Sequence, residues 1–185
     1  RTLGDFELRR EIARGGMGVL YDAWQKSMER RVALKVLPAA VAADPKACAR
    51  FLREAQATGR LGHPNIVGVH ALGIDDGIPY YAMEYIEGET IAAIVSRMRP
   101  GSEGTAPPAR FFGVAPDDQD FHVRVASAFA DVADGLQHAH SKGVVHRDIK
   151  PSNLILERAR SEGGAAGARL RILDFGLARL EGEDG

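Results

Sequence analysis

The sequence predicts an α+β fold, and three patterns carry that prediction. Short apolar runs at strand spacing fill the first third of the 185 residues. From Asp44 a helical period replaces them, and a further strand pair follows. A later stretch from Phe121 to Leu136 repeats its apolar residues every three and four positions.

Phe6 to Ile12, Val19 to Trp24 and Arg31 to Leu37 read as three strands, divided by a glycine cluster and a charged turn at Lys26 to Arg30. Asp44 and Pro45 start a helix, because an aspartate oxygen caps free N–H groups and proline suits the first helical position. It continues through Phe51 and Ala55 to about Leu61, where His63-Pro64-Asn65 ends it. Ile66 to Ile74 and Ile78 to Tyr85 form a strand pair around a turn at Asp75-Asp76-Gly77. Glu87-Gly88-Glu89 reads as a connector to a short helix from Thr90 to Met98. Residues 99 to 119, rich in Pro, Gly, Ser and Asp, read as a surface loop or insertion. Phe121, Val125, Ala128, Phe129, Val132 and Leu136 then give a longer helix one buried stripe. Short apolar runs follow at Val144-Val145, Leu154 to Leu156 and Leu170 to Leu173, with a Gly/Ala-rich hairpin tip from Glu162 to Ala168. No internal repeat is evident, which sets solenoid architectures aside.

Hydrophobic content of 45% and charged content of 26% suit a soluble globular protein of one domain or two small lobes. The formal net charge of -1 gives no basis for nucleic-acid binding, which goes with a basic excess. Cys48 is the only cysteine, so no internal disulfide can form. It reads as a small hydrophobe on a helix, in a reducing cytoplasmic setting. No apolar run approaches the ~20 residues needed to span a bilayer, and no signal peptide is visible. The chain begins at Arg1 rather than Met, so a longer protein with an anchor elsewhere is compatible with it.

Chemistry enters with the glycine cluster, Gly15-Gly16-Met17-Gly18, between two predicted strands. Glycines let a backbone approach phosphate oxygens closely and turn its N–H groups toward them. Taken alone, the cluster also fits a plain glycine hairpin. Its strand–loop–strand setting argues against a dinucleotide fold, and no Gly-Lys-Ser/Thr follows to make a P-loop. Next comes Lys35 at the end of Val32-Ala33-Leu34. A lysine in an apolar strand is costly to bury unless an anion meets it, and Glu54 on the following helix is the best candidate. Taken alone, that pair also fits a solvated lysine and a solvated glutamate.

The specific signal is His146-Arg147-Asp148-Ile149-Lys150-Pro151-Ser152-Asn153. At average residue usage, five matched positions in a chain this long have odds on the order of 1 in 10,000, so chance is a poor explanation. A short strand, a hairpin and a second strand then lead to Asp174-Phe175-Gly176.

In this order the four pieces resemble the eukaryotic-like serine/threonine protein kinases, and Arg14-Gly15-Gly16-Met17-Gly18 looks most like their bacterial branch. The resemblance runs from Phe6 to Arg179. It implies a two-lobed fold: a small antiparallel sheet plus one helix with the hinge through residue 86, then part of a mainly helical lobe from 87 to 185. It implies transfer of the ATP γ-phosphate, with Mg²⁺, to serine and threonine hydroxyls of protein substrates. Gly15, Gly16 and Gly18 would then cover the phosphates. Leu20 and Ala33 would help form the nucleotide pocket, Lys35 would contact the α- and β-phosphates, and Glu54 would hold Lys35. Met83 would stand at the back of the adenine pocket, with backbone groups of Glu84 and Ile86 on the adenine edge. That last segment by itself also fits a core strand with an exposed end. Asp148 would accept or orient the substrate hydroxyl proton, Lys150 would steady the transferring phosphate, and Asn153 and Asp174 would hold Mg²⁺. Arg147 is the kind of residue that meets a phosphorylated activation segment, by charge-assisted pairing.

Ala13 stands where the family usually has the first glycine of its loop, and Leu20 where it has valine. Ala13 touches none of the charged machinery, so altered ATP affinity rather than lost chemistry is expected from it, and Leu20 is a mild change of shape. The stretches 99 to 119 and 157 to 169 are longer than usual. The chain stops a few residues past Asp174-Phe175-Gly176, so a fragment of a longer product is expected, with peptide binding weakened. A nucleotide-binding pseudokinase usually lacks the equivalent of Lys35, Asp148 or Asp174. A small-molecule phosphotransferase of similar fold usually has His-Gly-Asp instead of His146-Arg147-Asp148. A nucleotide-free scaffold would not need the intact set.

Overall fold

The computed structural model describes residues 1–15, 18–98, 120–157 and 169–175, with the backbone of 179–180. The first half is built on six antiparallel strands: β1 (Thr2–Leu3), β2 (Phe6–Gly15), β3 (Gly18–Gln25), β4 (Arg30–Val36), β5 (Val69–Asp75) and β6 (Ile78–Glu84). Their order in the sheet is β1-β2-β3-β4-β6-β5. Helices α1 (Ala39–Ala42) and α2 (Pro45–Gly59) lie between β4 and β5 in the chain. Asp44 caps α2 by accepting from the Lys46 N–H at 2.9 Å, and Pro45 occupies its first turn.

Strand alternation gives β4 two different faces. Val32 and Leu34 pack with Leu3, Phe6, Ala23 and Ala82. Ala33 points the other way and joins Leu37, Phe51, Ala55, Val67, Tyr81 and Met83 beneath α2. Lys35 has the parity of Ala33 and so also faces α2.

The second half contains β7 (Gly88–Thr90), α3 (Ile91–Arg97), α4 (Phe121–Ser141), β8 (Val144–Val145), a 3-10 turn (Pro151–Asn153), β9 (Leu154–Glu157), β10 (Arg169–Ile172) and β11 (Arg179–Leu180). These strands form a three-stranded sheet, β10-β9-β7, and a two-stranded one, β11-β8. Their core brings Ala128, Val132 and Ala139 of α4 against Leu154, Leu156, Leu170, Ile172 and Phe175. Leu61 and Ile66, from the segment after α2, pack in the same cluster. Main-chain bonds secure that segment to β10: Ile172 N–H donates to Asn65 O at 2.7 Å and Val67 N–H to Ile172 O at 3.0 Å.

The predicted elements form, with four differences that have physical reasons. The strand expected from Ile66 begins at Val69, because residues 65–67 spend their backbone groups on β10. The connector expected at Glu87-Gly88-Glu89 is partly strand, with Gly88 paired to Glu157 and Thr90 to Ile155. Phe129 does not belong to the buried stripe and is 42% exposed. The stripe that packs is Ala128, Val132, Gly135 and Ala139, small residues at spacings of three and four, and Phe129 sits about a quarter of a turn away from it. Short β1 and α1 were not anticipated. The turn at Asp75-Asp76-Gly77 is as expected, with Asp76 at φ 47° and Gly77 at φ 73°. The stretches 99–119 and 158–168 lie outside the described residues.

Gly88 permits the β7–β9 pairing, since a Cβ there would lie 2.2 Å from the Leu156 carbonyl oxygen. Gly88→Ala is expected to lower stability by about 1–3 kcal/mol, measured by urea unfolding. An unchanged midpoint would show that the two strands can part without cost.

Candidate active site

The register of β4 against β6 sets Lys35 directly opposite Tyr81, and the cap of α2 sets Glu54 above them. Lys35 Nζ lies 2.7 Å from Glu54 Oε1 and 2.7 Å from Asp174 Oδ1. The Tyr81 hydroxyl donates to the same Glu54 oxygen. Lys35, Glu54 and Tyr81 are all buried, at 8%, 3% and 2% exposure, so these charges interact with little help from water.

Burial alone would lower the Lys35 pKa, but Asp174 and Glu54 more than offset it and hold the ammonium above its ordinary value. Glu54 moves the other way for a carboxylate. Burial first, and then the hydrogen bond and like charge of Asp174, outweigh Lys35 and raise it to about 7. Asp174 is lowered: burial opposes its charge, while its contact with Glu54 and the charge of Lys35 favour it. Burial, reinforced by Glu54 and Asp174, lifts the Tyr81 phenol well above its usual range.

A second cluster gathers on the loop between β8 and β9. Asp148 Oδ2 lies 2.6 Å from Lys150 Nζ. Asn153 Nδ2 donates to the Asp148 carbonyl at 2.9 Å and to its Oδ2 at 3.2 Å. Lys150 first, with Asn153, holds the Asp148 carboxyl below its ordinary value. His146 sits beneath the loop. Its Nδ1 accepts from the Asp148 N–H at 3.2 Å, which leaves Nε2 to donate to Leu173 O at 3.0 Å. Leu173 N–H in turn donates to Asn153 O at 2.8 Å. The His146 ring meets the fully buried Phe175 ring at 4.5 Å between centroids. The loop carrying Asp148 and the segment carrying Asp174 are therefore fastened together at three points.

Two residues in these segments have left-handed backbones without being glycine, Arg147 at φ 64° and Asp174 at φ 55°. Such conformations cost about 1–3 kcal/mol each and persist where the surroundings over-determine them. Here the bonds through His146, Asn153 and Leu173 supply that constraint.

The predicted hinge residues also converge. Ala33 is paired with Met83 across the sheet, and both share an apolar cluster with Leu20, Ile86 and Leu173. Glu84 donates its N–H to Gly68 O at 3.0 Å, and its carboxylate takes Arg171 through Nη2 at 2.6 Å and Nη1 at 3.3 Å. Gly15 pairs with Gly18 at the end of the β2–β3 hairpin. A Cβ on Gly18 would lie 2.8 Å from Val36 O, and its φ of 137° also favours glycine. Gly16 lies outside the described residues.

The sites read from sequence thus assemble in three places, around Lys35, around Asp148 and around Met83. Tyr81, His146, Leu173 and Arg171 were assigned no role by sequence. Tyr81 was legible in principle, since it has the strand parity of Met83 and so faces the same side. Donor chemistry suits a hard cation: with its Nδ2 committed to Asp148, Asn153 keeps Oδ1 as a free oxygen among the described residues, and Asp174 adds a carboxylate.

The protein-family model described as "Protein kinase domain" matches residues 6–185. Among curated proteins, serine/threonine-protein kinase pkn3 of Myxococcus xanthus is 37% identical over 170 residues, covering 91% of this chain and 27% of that protein. Serine/threonine-protein kinase PrkC of Bacillus subtilis is 33% identical over 179 residues, covering 96% of this chain and 23% of that protein. A crystal structure of the Mycobacterium tuberculosis PknI kinase domain superposes with a TM-score of 0.68 at 29% identity, covering 97% of this chain and 62% of that one. The chain therefore spans about a quarter of the curated relatives it matches.

The raised Glu54 value has a consequence for stability. The folded chain holds this proton more tightly than the unfolded chain, whose value is near 4.5. Stability from this group is therefore greatest below about pH 4.5, falls as pH rises toward about 7, and is level above that. The melting temperature of the metal-free chain is expected to decline between about pH 5 and about pH 7, and to decline less in Glu54→Gln. Equal slopes in calorimetry would contradict the raised value.

Proposed function

The chain belongs to the protein kinase domain family, and on that premise we propose that it transfers the γ-phosphate of ATP to serine or threonine hydroxyls of protein substrates. The observation that carries this reading is the fastening of the Asp148 loop to the Asp174 segment through His146, Asn153 and Leu173. Phosphoryl transfer needs in-line positioning and neutralised charge more than covalent help, and a rigid link between two acidic centres suits that need.

The apolar cluster of Leu20, Ala33, Met83, Ile86 and Leu173 suits a purine ring. Because the Glu84 N–H is committed to Gly68, the share of the adenine edge that falls to Glu84 is its carbonyl, with the Ile86 backbone beside it. The backbone at Gly15 and Gly18, with Gly16 between them, would approach the phosphates. Lys35 would turn its ammonium to the α- and β-phosphates while Glu54 steadies it.

Asn153 and Asp174 are the residues that would hold Mg²⁺, which when bound supplies positive charge against the phosphate oxygens. Asp148 is kept ionised by Lys150 and Asn153, so it is a weak base with a well-placed acceptor. Its part is to orient the substrate hydroxyl and take the proton late, as the oxygen commits to phosphorus. Lys150 would lean toward the transferring phosphate.

The first half through residue 86 and the part from residue 87 would act as two lobes around the nucleotide. Among the described residues no helix is long and apolar enough to cross a membrane. The single half-buried thiol, Cys48, supports a reducing cytoplasmic setting.

Calorimetric titration with ATP and Mg²⁺ tests the reading. Lys35→Met is expected to weaken binding about tenfold or more, the usual scale for a charged hydrogen bond, and Asp174→Asn to remove the Mg²⁺ dependence. Asp148→Asn is expected to leave ATP affinity within about twofold while phosphorylation of a serine-containing protein falls by about 10²–10⁴. A folded chain that gives no heat with ATP would sink the proposal.

A further inference from the structure

We propose that Arg31, seated on Asp22, is a positioning residue for the nucleobase: it fixes the side chain of Tyr85, and with it the direction of the backbone on either side. The inference rests on the nucleotide reading above, in which backbone groups of Glu84 and Ile86, the two neighbours of Tyr85, meet the adenine edge.

Strand period accounts for the placement. Arg31, Ala33 and Lys35 alternate along β4 and share one face, each about 6.7 Å from the next. On the nucleotide reading Lys35 serves the phosphates and Ala33 the base. Arg31 comes next in that row and reaches the chain beyond β6. Asp22 belongs to the same face, since it pairs with Ala33 across β3 and β4. It is only 6% exposed, so its charge has to be met inside the protein. Arg31 meets it with two bonds, Nε to Oδ1 at 3.0 Å and Nη2 to Oδ2 at 2.7 Å. These bonds hold the Asp22 carboxyl below its ordinary value even though burial opposes them.

A guanidinium is planar, so two bonds along one edge fix where its remaining N–H groups and its faces lie. Its carbon stands 3.7 Å from the centre of the Tyr85 ring. Nη2 also donates to the Tyr85 hydroxyl at 2.9 Å. Nη1 lies 3.6 Å from a Glu87 oxygen at the exposed rim, a contact worth little by itself. Tyr85 packs in addition against the cluster that holds Ala33 and Met83. Held by that cluster and by the guanidinium, the ring keeps the peptide groups beside it pointing one way. Hydrogen bonds weaken steeply as they bend, so this direction decides how well an adenine edge is held. Arg31 acts on the base through Tyr85 and leaves phosphates and metal to other residues.

The test uses the whole chain as wild type, Arg31→Lys, Tyr85→Leu and the double variant. Lysine keeps the charge but cannot make the paired bonds to Asp22 or lie flat on a ring. Melting temperature reports folding. Calorimetry reports the affinity of ATP with Mg²⁺ and, by displacement, that of adenosine, which carries the base without phosphates. Arg31→Lys is expected to weaken ATP about five- to tenfold, the scale of one lost hydrogen bond, and adenosine by the same factor. In the Tyr85→Leu background it is expected to add less than about twofold, because its effect runs through that ring. Asp22→Asn is a second variant that leaves the guanidinium in place on a weaker seat, and is expected to cost about threefold for both ligands. Wild-type affinity in Arg31→Lys and Asp22→Asn, a loss confined to ATP, or an equal loss in both Tyr85 backgrounds would overturn the proposal. A wild-type chain that does not bind ATP would overturn the nucleotide reading, and this inference with it.

Discussion

The Lys35 ammonium lies almost out of reach of water, where an unpaired charge would cost several kcal/mol. Two carboxylates meet that cost, and they come from different ends of the chain: Glu54 from α2, and Asp174 from the segment after β10. Removing one partner of such a buried pair typically costs about 3–5 kcal/mol. The seating of α2 on the sheet, the strand that ends at Asp174 and the register of β4 against β6 all have to agree for this one nitrogen to be satisfied. Attraction is not the whole of it. Burial first, and then Asp174 beside it, raise the Glu54 value against the pull of Lys35.

Much of this was legible because the chemistry sits on regular elements. Strand period placed Ala33 and Lys35 on one face of β4, and the Asp-Pro start of α2 fixed where Glu54 would come round. The tight spacing of Asp148, Lys150 and Asn153 left little freedom for their mutual contacts. What could not be read were the contacts that join distant stretches. Nothing in the local pattern says that Asn65 and Val67 abandon strand β5 to bond with β10, or that the Leu173 carbonyl receives His146. Phe129 shows a further limit. A large apolar residue beside a helical stripe counts toward the stripe by spacing, yet α4 packs through alanine and glycine because it must come close to Ile172.

Backbone strain is concentrated where the two acidic centres lie. Arg147 and Asp174 occupy left-handed conformations one residue from groups that the site needs, Asp148 in one case and Phe175 in the other. Both are held by neighbours rather than by their own preference. The neutral His146 ring serves both sides, accepting from one segment and donating to the other, and Phe175 closes over it. A strained backbone with several independent restraints keeps its geometry through small changes elsewhere, which is what a reaction dependent on alignment requires.

The link between the two halves is short. β6 ends at Glu84 and β7 begins at Gly88, so the connection between the two strands is Tyr85, Ile86 and Glu87. Arg31 holds two of the three, its guanidinium 3.7 Å from the Tyr85 ring centre and 3.6 Å from a Glu87 oxygen. On the other side Arg171 grips Glu84 and the Ile66 carbonyl from the strand that leads to Asp174. Such a splice has little slack to lose. On the proposed nucleotide reading, a flat ring entering beside it would meet edges already in place, so the entropy of ordering the strap is spent when the chain folds, and selectivity there would be set by shape before adaptation.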